Sequence, residues 1–137
     1  RVLFALSQYL NAALFNELRD KDGDAYSPQV TYEPDAYSGI FTIEILSSKR
    51  PQQIEKRVFD IIDRVKADIE TRELGRMRDL SELKRRKMLS DNGEILDRIV
   101  DRVIQGASMT DFALDGITRE EMVAAAVRYL PSHHHAY

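Results

Sequence analysis

The sequence predicts an α+β fold: an antiparallel β-hairpin that belongs to a larger antiparallel sheet, with helices layered on one face. Three observations predict it. Apolar residues recur at helical spacing from Leu3 to Leu18. A period-two stretch follows, in which Phe41, Ile43 and Ile45 alternate with Thr42 and Glu44. Three or four helical stripes then run to the end of the chain. A two-stranded hairpin is marginal in water on its own. A hairpin with one apolar face, beside helices with apolar stripes, therefore calls for more strands and a helical cover.

In chain order, Leu3, Leu6, Leu10, Ala13, Leu14 and Leu18, with Tyr9 beside them, predict one amphipathic helix over residues 2–19. Residues 20–24 form a breaker cluster around Gly23. A strand starts at Ala25 or Tyr26 and places Tyr26, Val30 and Tyr32 on one face. Pro28 cannot donate to a ladder, so the strand is an edge or is bulged there. Glu33-Pro34-Asp35 makes the turn into the second strand, residues 38–46. Pro51 then sits in the first turn of a helix, where its missing N–H costs nothing. Ile54, Val58, Ile61, Ile62, Val65 and Ile69 form that helix's stripe. Thr71 caps the next helix, which carries Leu74, Met77 and Leu80 or Leu83 and ends in Lys84-Arg85-Arg86-Lys87. Asp91-Asn92-Gly93 breaks the pattern. Ile95, Leu96, Ile99, Val100, Val103 and Ile104 give another stripe, stopped at Gly106. Thr118-Arg119-Glu120-Glu121 is a capping box that opens a last helix through Leu130, ended by Pro131.

Composition narrows the function. Net charge is −3, so no global basic field recruits nucleic acid. The basic run at 84–87 is flanked by acids and carries no aromatic residues, as a solvated helix face does. Cysteine is absent, which removes disulfides and thiolate metal sites and leaves the compartment open. No apolar run is long enough to span a bilayer. The acidic spacing at residues 20–24 lacks the downstream glutamate of a calcium loop and reads as a turn. The chain starts at Arg1 inside a helical pattern and ends shortly after His133, His134 and His135. We read residues 1–137 as a single partial α+β domain of a longer protein, with the His triplet a polar segment leading into a further strand.

Arg19 and Tyr26 are the candidate site residues. They flank one tight helix-to-strand turn and can address the same small volume. A guanidinium and a phenol O–H are both donors, able to stabilise an oxyanion. The residues alone also allow a second arrangement, in which Arg19 meets helix-terminal carbonyls and Tyr26 packs at a strand start.

The run Leu14-Phe15-x-x-Leu18-Arg19-x-x-x-Gly23-x-Ala25-Tyr26-Ser27 resembles the second, non-catalytic domain of the pitrilysin/insulinase family of zinc metallopeptidases. That family has here a helix ending in Leu-Arg, a short charged turn with glycine, and a Tyr-Ser strand. The likeness continues through the hairpin and the helices after it. The resemblance implies the later half of such a domain, which helps to enclose a peptide substrate. It implies that Arg19 and Tyr26 reach toward the scissile carbonyl at the zinc site of the catalytic domain. The family's zinc motif, His-x-x-Glu-His, is absent from this chain, so the resemblance places the zinc in another domain and no cofactor here. The implied partners are the remainder of the parent chain and a peptide, with no nucleic acid and no membrane. The chain alone should hydrolyse nothing. Two other readings stay open: a purely structural domain of a processing-peptidase-like scaffold, and an unrelated α+β interaction domain.

Overall fold

A computed structural model describes residues 1–21, 23, 25–34, 38–90, 100, 114 and 116–132. The fold is α+β, with four helices and a two-stranded antiparallel sheet among the described residues. The expectations for Asp22, Asp24, Asp35, residues 91–93, Gly106 and the three histidines lie outside them. So does the predicted stripe at 95–104, apart from Val100, which is exposed.

Helix α1, Val2–Leu14, is the centre of the packing. It touches β1, α2, α3 and α4, all defined below. Leu6, Leu10, Leu14 and Leu18 follow one another at intervals of four and are all fully buried. An α-helix has 3.6 residues per turn, so a strict four-residue repeat drifts around it. The drift is reversed where the helix widens into a π turn, Phe15–Lys21. Leu18 thereby stays in the core with Leu14. The predicted helix over 2–19 is thus an α-helix followed by a π turn that runs to Lys21.

The sheet pairs β1, Gln29–Pro34, with β2, Gly39–Glu44, in the register Val30 to Ile43 and Tyr32 to Phe41. Val30 is buried, and Phe41, Ile43 and Ile45 pack against the core from half-buried positions. The apolar face is therefore the one the alternation predicted. The strand start is not. Tyr26 lies before β1, and its N–H donates to the Leu46 carbonyl at 2.8 Å. That bond is offset by one residue from the β1–β2 register, so the chain bulges across Ser27 and Pro28, as the missing proline donor favours. Tyr26 consequently does not share a strand face with Val30 and Tyr32. Glu33 and Pro34 are also paired, opposite Ile40 and Gly39, instead of forming the turn. Gly39 has a packing reason: a Cβ there would lie 2.6 Å from Tyr32 Cε2. The Tyr32 ring covers the glycine and meets the Phe41 ring at 4.9 Å.

Helix α2, Pro51–Ala67, buries Ile54, Val58, Ile61, Ile62 and Val65, with Pro51 as its first residue. Ile69 is buried too, but in the link after the helix. Helix α3, Thr71–Leu89, has Thr71 as its first helical residue, so Thr71 does not cap it. Its first half packs through Leu74 and Met77, whereas Leu80 and Leu83 are exposed. Helix α4, Arg119–Tyr129, opens with the predicted capping box: Thr118 Oγ1 accepts from Glu121 N–H, and Glu121 Oε2 accepts from Thr118 N–H at 2.8 Å. It ends one residue earlier than predicted, with Leu130 as a buried C-cap.

Three polar clamps fix α4. Arg119 Nε donates to Asp68 Oδ1 at 2.8 Å and to the Ile69 carbonyl at 3.1 Å. Lys66 Nζ donates to the Pro131 carbonyl at 2.8 Å and to Ser132 Oγ at 2.9 Å. Arg78 donates to the Ile117 carbonyl, just before the helix. The Arg119 guanidinium holds the Asp68 carboxyl below its ordinary pKa. No helix among the described residues is long and apolar enough to cross a membrane.

Candidate functional site

The two candidate residues lie at the ends of one linker. Arg19 belongs to the π turn, and Tyr26 follows three residues after Gly23. The linker is tied back onto the helix it leaves. Gly23 N–H donates to the Arg19 carbonyl, and Ala25 N–H donates to the Leu18 carbonyl, each at 3.0 Å. These bonds satisfy carbonyls that the end of a helix leaves without partners. Gly23 has φ +63°, the left-handed conformation that glycine adopts at least cost. Ala25 is buried, which anchors the far side of the linker.

Both side chains point outward from this anchored frame. Tyr26 is 66% exposed, so its ring does not pack at a strand start. Its backbone is nevertheless fixed, through the bond to Leu46. Arg19 is exposed, and its guanidinium lies over the Phe15 ring, 4.7 Å from the centroid. Its own carbonyl, not its side chain, takes part in closing the helix end. Two hydrogen-bond donors, Arg19 and Tyr26, are thus exposed on either side of this linker. Each is of a type that can donate to an oxygen acceptor.

The resembling run includes Phe15 but assigns it no role, and the sequence does not point to Glu17 or Arg64. Phe15 stands four residues before Arg19, a spacing at which helical side chains meet, and that spacing was the available signal. Glu17, on the same π turn, accepts from Arg64 Nη2 of α2 at 3.2 Å. Nothing in the sequence links residues so far apart.

A groove of about 660 Å³ runs where α1, α2 and the start of α3 meet. Tyr9, Ala13, Ile61 and Met77 line it, with Glu17 and Arg64 at its edge. Neither Arg19 nor Tyr26 reaches it. Three of its four acidic groups are paired, Asp68 with Arg119, Glu73 with Arg76 and Glu17 with Arg64, and the fourth is Glu70.

No group of three or more His, Cys, Asp or Glu side chains among the described residues could hold a metal ion. The Arg19 side chain carries a permanent positive charge and no acceptor atom, so it is not a metal ligand.

Comparison with known proteins returns a single kind of finding. Residues 2–80 match the family described as the Peptidase M16 inactive domain. No curated protein and no solved structure matches the chain. The matched residues include α1, the π turn, the hairpin, α2 and the first half of α3. Arg19 and Tyr26 both lie within them.

Proposed function

The chain belongs to the M16 peptidase family, as an inactive domain of it, and on that premise we propose that it forms part of the non-catalytic wall around a peptide substrate. In this reading Arg19 and Tyr26 contact the substrate from the side opposite the catalytic domain. The observation that carries the reading is the anchored linker. Arg19 and Tyr26 stand on either side of it with exposed side chains, inside the matched residues.

The chemistry follows from the donor types. When water attacks a peptide carbonyl, negative charge builds on the carbonyl oxygen. Donors placed for that oxygen bind it more tightly than the ground-state carbonyl and lower the barrier. Arg19 brings a permanent charge and several N–H groups, and Tyr26 brings one O–H. The zinc that activates water in a peptidase of this kind would be held by another domain, and the chain by itself would be inactive. Membership in the family sets aside the unrelated interaction domain.

A purely structural role predicts the opposite behaviour of the same residues. The test is peptide hydrolysis by the full-length protein that carries this domain. Arg19→Ala should lower kcat on the order of 100-fold, as loss of one oxyanion donor does, with the thermal melt unchanged. A folded Arg19→Ala protein with wild-type kcat would leave the domain as a scaffold.

A further inference from the structure

We propose that Phe15 is the positioning residue for Arg19: its ring holds the guanidinium over the π turn and leaves the N–H donors free for a substrate oxygen. The inference rests on the reading that Arg19 meets substrate.

The argument starts from the side chain's freedom. An exposed arginine samples many rotamers, and fixing it costs conformational entropy. An arginine that must meet a developing charge is more effective if that cost is met before substrate arrives. Ion pairing would fix the guanidinium, but a carboxylate would occupy its donors and cancel its charge. A ring face does neither. It attracts the cation through the ring quadrupole and takes no N–H. Here the guanidinium carbon is 4.7 Å from the Phe15 centroid.

The backbone supports the same geometry. Phe15 opens the π turn and Arg19 lies within it. The turn is fixed on its inner side by buried Leu18 and on its flank by Glu17 to Arg64 of α2. It is closed at its end by the Gly23 bond to the Arg19 carbonyl. Both ends of the Phe15–Arg19 contact therefore stand on backbone that packing has already set. Phe15 is half-buried and the guanidinium is exposed, so the ring is the floor on which the cation sits.

Two measurements test it. The first is NMR of the chain itself. The Arg19 δ-methylene and ε protons should be shifted upfield by the ring current, and Phe15→Leu should return them to ordinary values. Unshifted protons in the wild type would overturn the contact. The second is hydrolysis by the full-length protein with Phe15→Leu, Phe15→Tyr, Arg19→Ala and the Phe15→Leu/Arg19→Ala double variant. Phe15→Leu should lower kcat roughly 2- to 5-fold, the equivalent of an exposed cation–π contact, with KM little changed. Phe15→Tyr should restore it. The double variant should be no worse than Arg19→Ala alone. If Arg19→Ala is impaired but Phe15→Leu is not, the positioning role falls and the role of Arg19 stands. If Arg19→Ala is unimpaired, the reading beneath the inference falls with it. A Phe15→Leu loss that persists fully in the Arg19→Ala background would show that Phe15 acts by some other route, and would overturn the proposal.

Discussion

The side-chain oxygen Oδ1 of Asn11 accepts a hydrogen bond from the backbone N–H of Val30 at 2.9 Å, joining the last turn of α1 to the first strand. Val30 is 4% exposed and faces Ile43 across the hairpin. Its N–H is directed to the helix and not to β2. Asn11 thus does for the outer edge of β1 what another strand would do, and Pro34 has no N–H to offer on the same strand.

Asn11→Ala should therefore leave a buried backbone donor without an acceptor. The expected loss is about 1–3 kcal/mol, read as a lower midpoint in urea at unchanged slope. Asn11→Asp keeps an acceptor oxygen and should lose less. Equal stability of Asn11→Ala and wild type would mean that water replaces the side chain at that N–H.

A second link spans α1 and the start of α3. The Tyr9 hydroxyl accepts from the Glu70 N–H at 3.0 Å, and the ring is 8% exposed. Burial pushes the Tyr9 pKa above its ordinary value of 10.0, with Glu70, Glu73 and Asp68 adding to the rise and the Glu70 N–H opposing it. A raised folded pKa means that the unfolded chain loses its proton first. The stabilisation is complete below pH 10 and falls as pH rises through the folded value. Wild-type Tm should therefore drop relative to Tyr9→Phe above pH 10. A parallel course of the two proteins through that range would show that Tyr9 ionises equally well folded and unfolded.

On α3, Glu82 accepts from Arg85 Nε at 2.7 Å and from Arg86 Nε at 2.8 Å. Those bonds hold its carboxyl pKa down at about 2. A depressed carboxylate contributes above its unfolded value and loses that contribution as pH falls through the folded one. A carboxyl-detected titration should place the Glu82 midpoint near 2 in wild type, and higher in an Arg85→Ala/Arg86→Ala variant. A midpoint near the ordinary glutamate value in wild type would show that the pairs do not persist in solution. The same contacts explain why the basic run at 84–87 is a helix surface: two of its four charges are engaged by one glutamate of their own helix.

The parts of the fold that were legible in the sequence are those set by period. Alternation fixed the buried face of β2, and the stripe of α2 fixed which of its residues are buried. The capping box at Thr118 is local chemistry and is read directly. What was not legible depends on competition between distant groups. The π turn exists because Leu18 must stay on the core beside Leu14, and no local preference of residues 15–21 announces it. Leu80 and Leu83 continue a helical stripe but are exposed, because only the first half of α3 meets α1. The start of β1 moved to Gln29 because the bulge at Ser27 and Pro28 separates Tyr26 from the ladder. Arg19 and Tyr26 are candidates by residue type, spacing and the resemblance of the run that carries them, and both are exposed. Phe15 is part of the resembling run, but its contact with Arg19 was not read from it, because residue type alone does not show which side chain a ring will meet.

The proposed role of the domain meets its most direct test in one hydroxyl. Tyr26 is 66% exposed and its backbone is held by Leu46, so Tyr26→Phe removes the O–H and disturbs no buried contact. The measurement is steady-state peptide hydrolysis by the full-length protein carrying this domain, with a thermal melt as the control. The account predicts an unchanged melt and a kcat lower on the order of 100-fold, because the donor acts on charge that develops only in the transition state. A well-folded Tyr26→Phe protein with wild-type kcat would contradict it.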